Sequence, residues 1–357
     1  MNRTPILFRC DANSDLGYES FYQCLTLASA MQRRRRGTYL MSRLDPFPLF
    51  ASIQRGGNEA IQAETVAGSP DDCNETIREI RRLNAAAVVV AIPGVTEGYL
   101  KELASTGTMV VTLDSEASIC NPSRLVINPL LGPSAKAYRI QRGTQMLLGS
   151  RYPLVRSVFR RQRPIRAIDP VQPFRALIAM GDNDKTQSLI RTKELLGTTR
   201  IDKISVAVRS HHPQLEELKA LAAEHGTRLE ILTETAELST RLPRAHFAVT
   251  SGDGWSLEMA CVGIPQFILA QAPHHVLNAA RLDEEGAATY LGEAAHVPAT
   301  ALRHSVQLLL SDPLERFGMS RCARQLIDGR GPDRLVNGIE ILLHTAPPVQ
   351  PVLRIAA

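Results

Sequence analysis

Val249–Pro265, VTSGDGWSLEMACVGIP, is the stretch whose reading decides the fold of this chain. Phe247, Ala248 and Val249 end an apolar strand, Ser251–Gly254 form a tight loop, a short helix is predicted from about Ser256, and Gly263-Ile264-Pro265 stops it. A strand that turns directly into a helix is the repeating joint of a parallel α/β sheet. At such a joint the first helical N–H groups lack partners and the helix dipole is positive, while glycines let a ligand approach the backbone. These are the needs of a phosphate. Glu258, one turn into the helix, offers acceptors for the neighbouring hydroxyls of a ribose, and phosphate with ribose means nucleotide. The same spacing also serves plain strand-to-helix packing, so pattern alone does not choose.

The neighbouring segments extend the series. Ala176–Met180 (ALIAM) is a strand running into the loop Gly181-Asp182-Asn183-Asp184 before a helix. Strands at Ser205–Val208, Arg228–Ile231 and Gln266–Leu269 alternate with helices at Gln214–His225, Val276–Glu285 and Ala301–Leu310. The first half repeats the plan. Pro5–Arg9 is a strand, Cys10–Gly17 a polar loop, and Ser20–Gln32 a helix with Phe21, Cys24, Leu25, Ala28 and Met31 on one face. Further strands fall at Thr38–Met41, Met109–Leu113 and Leu125–Asn128, and helices at Asp72–Leu83 and Tyr99–Ser105. Ala85–Ile92 (AAAVVVAI) is a continuous apolar run, as a parallel strand covered on both faces requires. Arginine and proline concentrate between Tyr152 and Pro173, which marks a linker. The expected fold class is therefore α/β, with two Rossmann-like parallel-sheet domains over residues 1–160 and 161–345 facing a cleft, and a loose tail over 346–357. Cys10–Gly17, Asp114-Ser115, Gly181–Asp184 and Ser251–Ser256, at strand carboxyl ends, face that cleft.

Composition narrows the partners. A chain of 357 residues suits two domains, and 44% hydrophobic with 22% charged residues is ordinary for a globular protein. No apolar run approaches 18 residues and the first residues are polar, so neither a transmembrane segment nor a signal peptide is expected, and the cytoplasm is the expected compartment. The net charge of +5 clusters at Arg33–Arg36 and at Arg160, Arg161 and Arg163 without interleaved aromatics, which argues against nucleic acid as a partner. An anionic membrane surface carrying a lipid-linked sugar stays open. The six cysteines are scattered, with no C-x-x-C and no metal-type pairing with histidine, so neither a metal nor a cofactor is expected.

TSGDGWSLEMACVGIPQFIL (Thr250–Leu269), NAARLDEEGAA (Asn278–Ala288) and RQLIDGRGPDRLVNGI (Arg324–Ile339) together resemble the C-terminal half of the UDP-sugar hydrolase of pseudaminic acid biosynthesis and related spore-coat polysaccharide proteins. More distantly, they are similar to the peptidoglycan N-acetylglucosaminyltransferase that makes lipid II. FRCDANSDLG (Phe8–Gly17), CLTLASAM (Cys24–Met31) and LLGSRYPLVRSVF (Leu147–Phe159) carry the resemblance through the first half and the interdomain segment. It implies a GT-B architecture that binds a nucleotide sugar, most naturally a UDP-sugar, and acts at the anomeric carbon, with a sugar or lipid-linked acceptor for a transferase. Carried over residue by residue, Glu258 would hold the ribose, Gly252, Gly254, Trp255 and Ser256 would surround the diphosphate, and His274, His275 and Asn278 would lie toward the sugar. Gly181, Asp182 and Asn183 match a glycine-rich loop, with Asp182 where a second glycine is usual. Gly17, Tyr18, Ser20, Tyr152 and Arg156 complete the expected binding set. Trp255 has two readings, packing on the ligand or burial at the helix start.

The first-domain loop departs from the pattern. The family's Gly-x-Gly-His-x-x-Arg, whose His is the expected general base, is here Gly17-Tyr18-Glu19-Ser20-Phe21-Tyr22-Gln23. A serine hydroxyl does not replace an imidazole as a base near neutral pH. Asp11 and Glu19 are the candidate catalytic bases, each also readable as a turn or helix-start residue. Three functions are thus in contention: a divergent sugar-nucleotide hydrolase or glycosyltransferase, a nucleotide-sugar-binding pseudo-enzyme, and an interaction module with an empty cleft.

Overall fold

The structure is a computed structural model that describes residues 3–345; the tail expected at 346–357 lies outside the described residues. The first half contains β1 (Ile6–Arg9), α1 (Glu19–Gln32), β2 (Thr38–Ser42), α2 (Phe50–Arg55), β3 (Glu59–Gln62), α3 (Pro70–Leu83), β4 (Ala87–Val90), α4 (Glu97–Ser105), β5 (Met109–Leu113), β6 (Cys120–Asn121), β7 (Leu125–Ile127), β8 (Arg139–Ile140) and β9 (Gln145–Leu147). Seven of these strands form one parallel sheet in the order β3-β2-β1-β4-β5-β7-β9, while β6 and β8 pair apart. Because side chains alternate along a strand, Ile6, Phe8, Ala87 and Val89 pack into one apolar cluster and Leu7, Val88 and Val90 into another on the opposite face. This two-sided burial is why AAAVVVAI has no polar alternation.

The second half follows as α5 (Ser157–Gln162), β10 (Arg175–Ala179), α6 (Gln187–Leu196), β11 (Lys203–Ala207), α7 (Leu215–His225), β12 (Leu229–Leu232), α8 (Thr235–Arg241), β13 (Phe247–Thr250), α9 (Gly254–Val262), β14 (Gln266–Ala270), α10 (Pro273–Glu284), β15 (Thr289–Glu293), α11 (Ala299–Ser311), α12 (Pro313–Leu326) and α13 (Gly331–His344). Its six strands are parallel in the order β12-β11-β10-β13-β14-β15. No described helix is long and apolar enough to cross a membrane.

The expected domain limits need correction at both crossings. Leu335, Val336 and Ile339 of α13 join the cluster of Phe21, Cys24 and Leu27, so the last helix packs on the first domain, not the second. Arg36 clamps Glu340 with Nε and Nη2 at 2.9 and 2.5 Å, and Arg34 reaches Asn337 at 2.7 Å. Conversely, Phe159 of α5 is buried in the cluster containing Trp255 and Met259, which puts α5 on the second domain. The chain thus crosses the junction twice, near Tyr152 and near Asp328.

One buried imidazole sets an acid limit on stability. His246 is wholly inaccessible, its Nδ1 accepts the N–H of Arg175 at 3.1 Å, and it stands edge-on to Phe174. Burial pushes its pKa down to about 4, with Asp169 opposing the shift. The folded pKa lies below the unfolded one, so the fold prefers the neutral ring: this contribution is complete above about pH 6.5 and is lost as pH falls toward 4. At pH 5 the linkage costs about 2 kcal/mol. His246→Asn, which keeps an acceptor, should lose less stability than the wild type between pH 7 and 5; parallel pH profiles of the melting temperature would refute this.

Candidate interdomain active site

Each sheet reverses its winding at its first strand, since β1 lies between β2 and β4 and β10 between β11 and β13. Crevices of such sheets open at the carboxyl ends of the strands flanking the reversal. Here the two crevices meet. Asn183, in the loop after β10, places its Oδ1 2.7 Å from the N–H of Tyr18 and 3.3 Å from that of Glu19, so the second domain caps the helix that begins the first. Gly17 has φ +80°, and a Cβ there would overlap the Asn183 side chain, which makes glycine necessary on both counts. The Tyr18 ring rests 4.1 Å from that of His211. Between these contacts lies a cavity of about 280 Å³, lined by Leu16, Tyr18, Asp182, Lys185, Arg209 and His211 among others. A smaller space of about 190 Å³ on the first-domain side touches Glu19, Ser20, Gln23, Asp114 and His274.

The opening stretch of sequence sits beside this cavity, but its helix start is occupied by the protein itself. Asp253 accepts the N–H of Trp255 at 3.0 Å and so caps α9 with a carboxylate where a diphosphate was expected. Gly181 lies against this carboxylate so closely that a Cβ would overlap it. Burial, and then the charge of Glu19, push the Asp253 carboxyl up to about 7. Ser256 donates to the Asp253 carbonyl at 2.6 Å. Asn278, expected toward the sugar, is fully buried and tied on both ends: its Nδ2 donates to the Gly252 carbonyl at 2.7 Å and to Ser256 Oγ at 3.2 Å, and its Oδ1 accepts from Leu131 N–H at 3.0 Å. It joins the first-domain loop that follows β7 to the Gly252 loop and does not line the cavity.

Glu258 is engaged too. Its Oε1 accepts N–H and Nε of Arg156 at 3.0 and 2.7 Å, and its Oε2 accepts Nη2 at 2.5 Å. The carboxylate expected for a ribose therefore holds the interdomain segment in this state. Trp255 is buried, with the guanidinium groups of Arg156 and Arg209 each 5.0 Å from its ring, so its helix-start burial is what the structure displays. Arg209 also lies 3.7 Å over the Tyr22 ring and bonds Asp182 at 2.7 Å, spanning the two domains. Asp184 caps α6 through the N–H groups of Thr186, Gln187 and Ser188, with His212 Nε2 at 3.2 Å.

The two candidate bases part company. Asp11 is buried, ion-paired to the Arg9 guanidinium, and accepts Arg43 N–H at 2.7 Å, while Arg9 also holds Asp72 at 2.7 Å. Its lone pairs are committed to a structural network, which removes Asp11 from the catalytic set. Glu19 does reach the cleft. Its Oε2 lies 3.2 Å from His275 Nε2 and 3.5 Å from His274 Nε2, and its Oε1 accepts Gln23 Nε2 at 3.0 Å. Burial raises the Glu19 carboxyl, but the two imidazoles outweigh it and hold it well below the carboxylate range. Tyr152 packs against the first-domain core.

Arg209, His211, His212 and Lys185 were not anticipated. The signal for three of them was legible, since VAVRSHH (Ser205 aside, Val206–His212) puts cation and imidazoles straight after a strand end.

The chain matches no protein-family model. It is similar to the spore coat polysaccharide biosynthesis protein SpsG of Bacillus subtilis (strain 168), 23% identical over 261 residues that make up 71% of this chain and 76% of that one. It is also similar to the UDP-N-acetylglucosamine–N-acetylmuramyl-(pentapeptide) pyrophosphoryl-undecaprenol N-acetylglucosamine transferase of Sphingopyxis alaskensis, 26% identical over 176 residues, 46% of this chain and 42% of that one. Among solved structures, spinosyn rhamnosyltransferase SpnG complexed with thymidine diphosphate aligns over 94% of this chain and all of that one, with TM-score 0.64 and 16% identity. The fold is GT-B, two Rossmann-like parallel-sheet domains facing a cleft.

Proposed function

We propose that this chain binds a nucleotide sugar in the interdomain cleft and acts at the anomeric carbon as a glycosyltransferase or sugar-nucleotide hydrolase. The observation that carries this reading is the cavity of about 280 Å³ that opens between the two sheet reversals, with Arg209 and Lys185 on its walls. Cations beside glycine-bearing strand ends suit a diphosphate. The relatives support the same class, one being a polysaccharide biosynthesis protein, one a UDP-N-acetylglucosamine-dependent transferase, and one an enzyme with thymidine diphosphate bound. The sequence resemblance favours UDP, and a sugar or lipid-linked acceptor follows for a transferase. With Ser20 in place of an imidazole and Asp11 committed to Arg9, this reading assigns assistance of attack on the sugar to the Glu19 cluster.

A specific observation favours the second reading, a binding protein without turnover: Asp253 sets a carboxylate at the helix start and Glu258 is locked to Arg156. Incubation with UDP-, TDP- and CMP-sugars, following free nucleotide and measuring affinity in parallel, separates the readings. Release of nucleotide from one donor is the expected result. Binding without release supports the pseudo-enzyme, and no binding of any donor overturns both.

A further inference from the structure

We infer that Glu19, His274 and His275 form a zinc site that bridges the two domains. The three side chains come from two helix starts, α1 in the first domain and α10 in the second, and their ligand atoms lie within 4.8 Å of one another. Both Nε2 atoms face a single oxygen, Oε2 of Glu19, at 3.2 and 3.5 Å. As charge-assisted hydrogen bonds these are long, since such N–H···O contacts run about 2.7–2.9 Å. As edges of a coordination shell they fit: ligands about 2.0–2.1 Å from a tetrahedral Zn²⁺ stand roughly 3.3 Å apart. Gln23 Nε2 holds the other oxygen, Oε1, at 3.0 Å, which orients the carboxylate toward the imidazoles as an outer-shell partner does. The His274 and His275 rings are nearly perpendicular, with centroids 4.4 Å apart, an arrangement that lets adjacent residues aim at one point.

Two imidazoles and one carboxylate are a donor set that zinc favours, and three protein ligands leave a fourth position for water. The expectation that no metal would be found rested on cysteine and histidine spacing, and this set escapes spacing because Glu19 and His275 are 256 positions apart. Closing the set requires the domains to be together, so the ion would also latch the cleft. The inference stands apart from the nucleotide-sugar reading, because it is tested on the free protein.

Chelator-stripped full-length protein is titrated with ZnCl₂ by calorimetry, and with CoCl₂ by visible absorption. The expected result is one Zn²⁺ per chain, a four-coordinate Co²⁺ spectrum, and a loss of affinity on the order of 100-fold or more in Glu19→Gln and in His274→Ala. His274 is partly exposed and its substitution leaves the buried His275 in place, so a fold defect in one variant does not mask the other; melting curves without metal verify both. His304→Ala, on the exposed face of α11, should bind as the wild type does. No stoichiometric binding, or wild-type affinity retained in Glu19→Gln and His274→Ala, overturns the site.

Discussion

Glu258→Ala should destabilise the protein by roughly 3–5 kcal/mol, the usual cost of removing one partner from a buried ion pair. The loss exceeds that of three hydrogen bonds because of what remains. Arg156 lies against the rings of Phe159 and Trp255, 4.7 and 5.0 Å from its guanidinium, with its side chain 18% exposed, so without Glu258 its charge has little water and no anion to replace the carboxylate. The backbone N–H of Arg156, which starts α5, loses its acceptor as well. Replacing both residues removes the stranded charge, so Arg156→Leu/Glu258→Leu should recover most of the stability, and the double-mutant cycle should report strong coupling. The same pair of variants asks whether Glu258 also serves a ribose. If it does, the restored double variant folds yet binds nucleotide more weakly by about 1–3 kcal/mol. A melting temperature for Glu258→Ala equal to the wild type would sink the structural half, and unchanged nucleotide affinity in the folded double variant would sink the ribose half.

The difference between the ribose expectation and the observed ion pair shows what sequence conveys here. Strands β4, β10 and β13 were legible because two-sided burial in a parallel sheet leaves a plain apolar run, and α1 because its buried face repeats at the helical period. The linker was legible from its arginines and prolines, but not the return of α13 to the first domain. That return depends on Leu335, Val336 and Ile339 fitting beside Phe21 and Leu27, a pairing between chain ends with no local signal. The short β9 and the α2–β3 segment escaped for a different reason. Glu59–Gln62 is a half-exposed edge strand, and Gln145–Leu147 carries too few residues for a period to be counted. At the site, loop positions were read correctly as strand ends, whereas side-chain roles were not: whether Asp11 meets water or Arg9, or Glu258 a ribose or Arg156, is decided by partners far away in the chain.

Asp253→Asn should tighten binding of a nucleotide sugar by about tenfold or more at pH 8, the largest gain expected of any single change in the cleft. The reasoning is electrostatic. Asp253 places a carboxylate at the positive end of α9, buried and close enough to Gly181 to close the gap between the two glycine-bearing loops. A diphosphate brought to that helix start meets a like charge in a medium of low dielectric, and each tenfold in affinity is only about 1.4 kcal/mol. Asparagine caps a helix as well as aspartate does, so the N–H of Trp255 keeps its acceptor and the fold keeps its turn. The pH dependence gives the sign independently. With its pKa raised to about 7 by burial and the nearby Glu19, Asp253 loses its charge as pH falls through neutrality, so wild-type affinity should rise from pH 8 to pH 6. The asparagine variant lacks that titration and should rise less over the same range; the rise that remains belongs to His275, whose pKa burial lowers but the Glu19 carboxylate raises on balance. A nucleotide sugar is the right probe because its diphosphate has no proton that titrates there, and a chelator keeps the Glu19 cluster free of metal during the measurement. Equal affinities of the two proteins at pH 8 would mean that the diphosphate lies elsewhere in the cleft, and that the α9 start serves the fold alone.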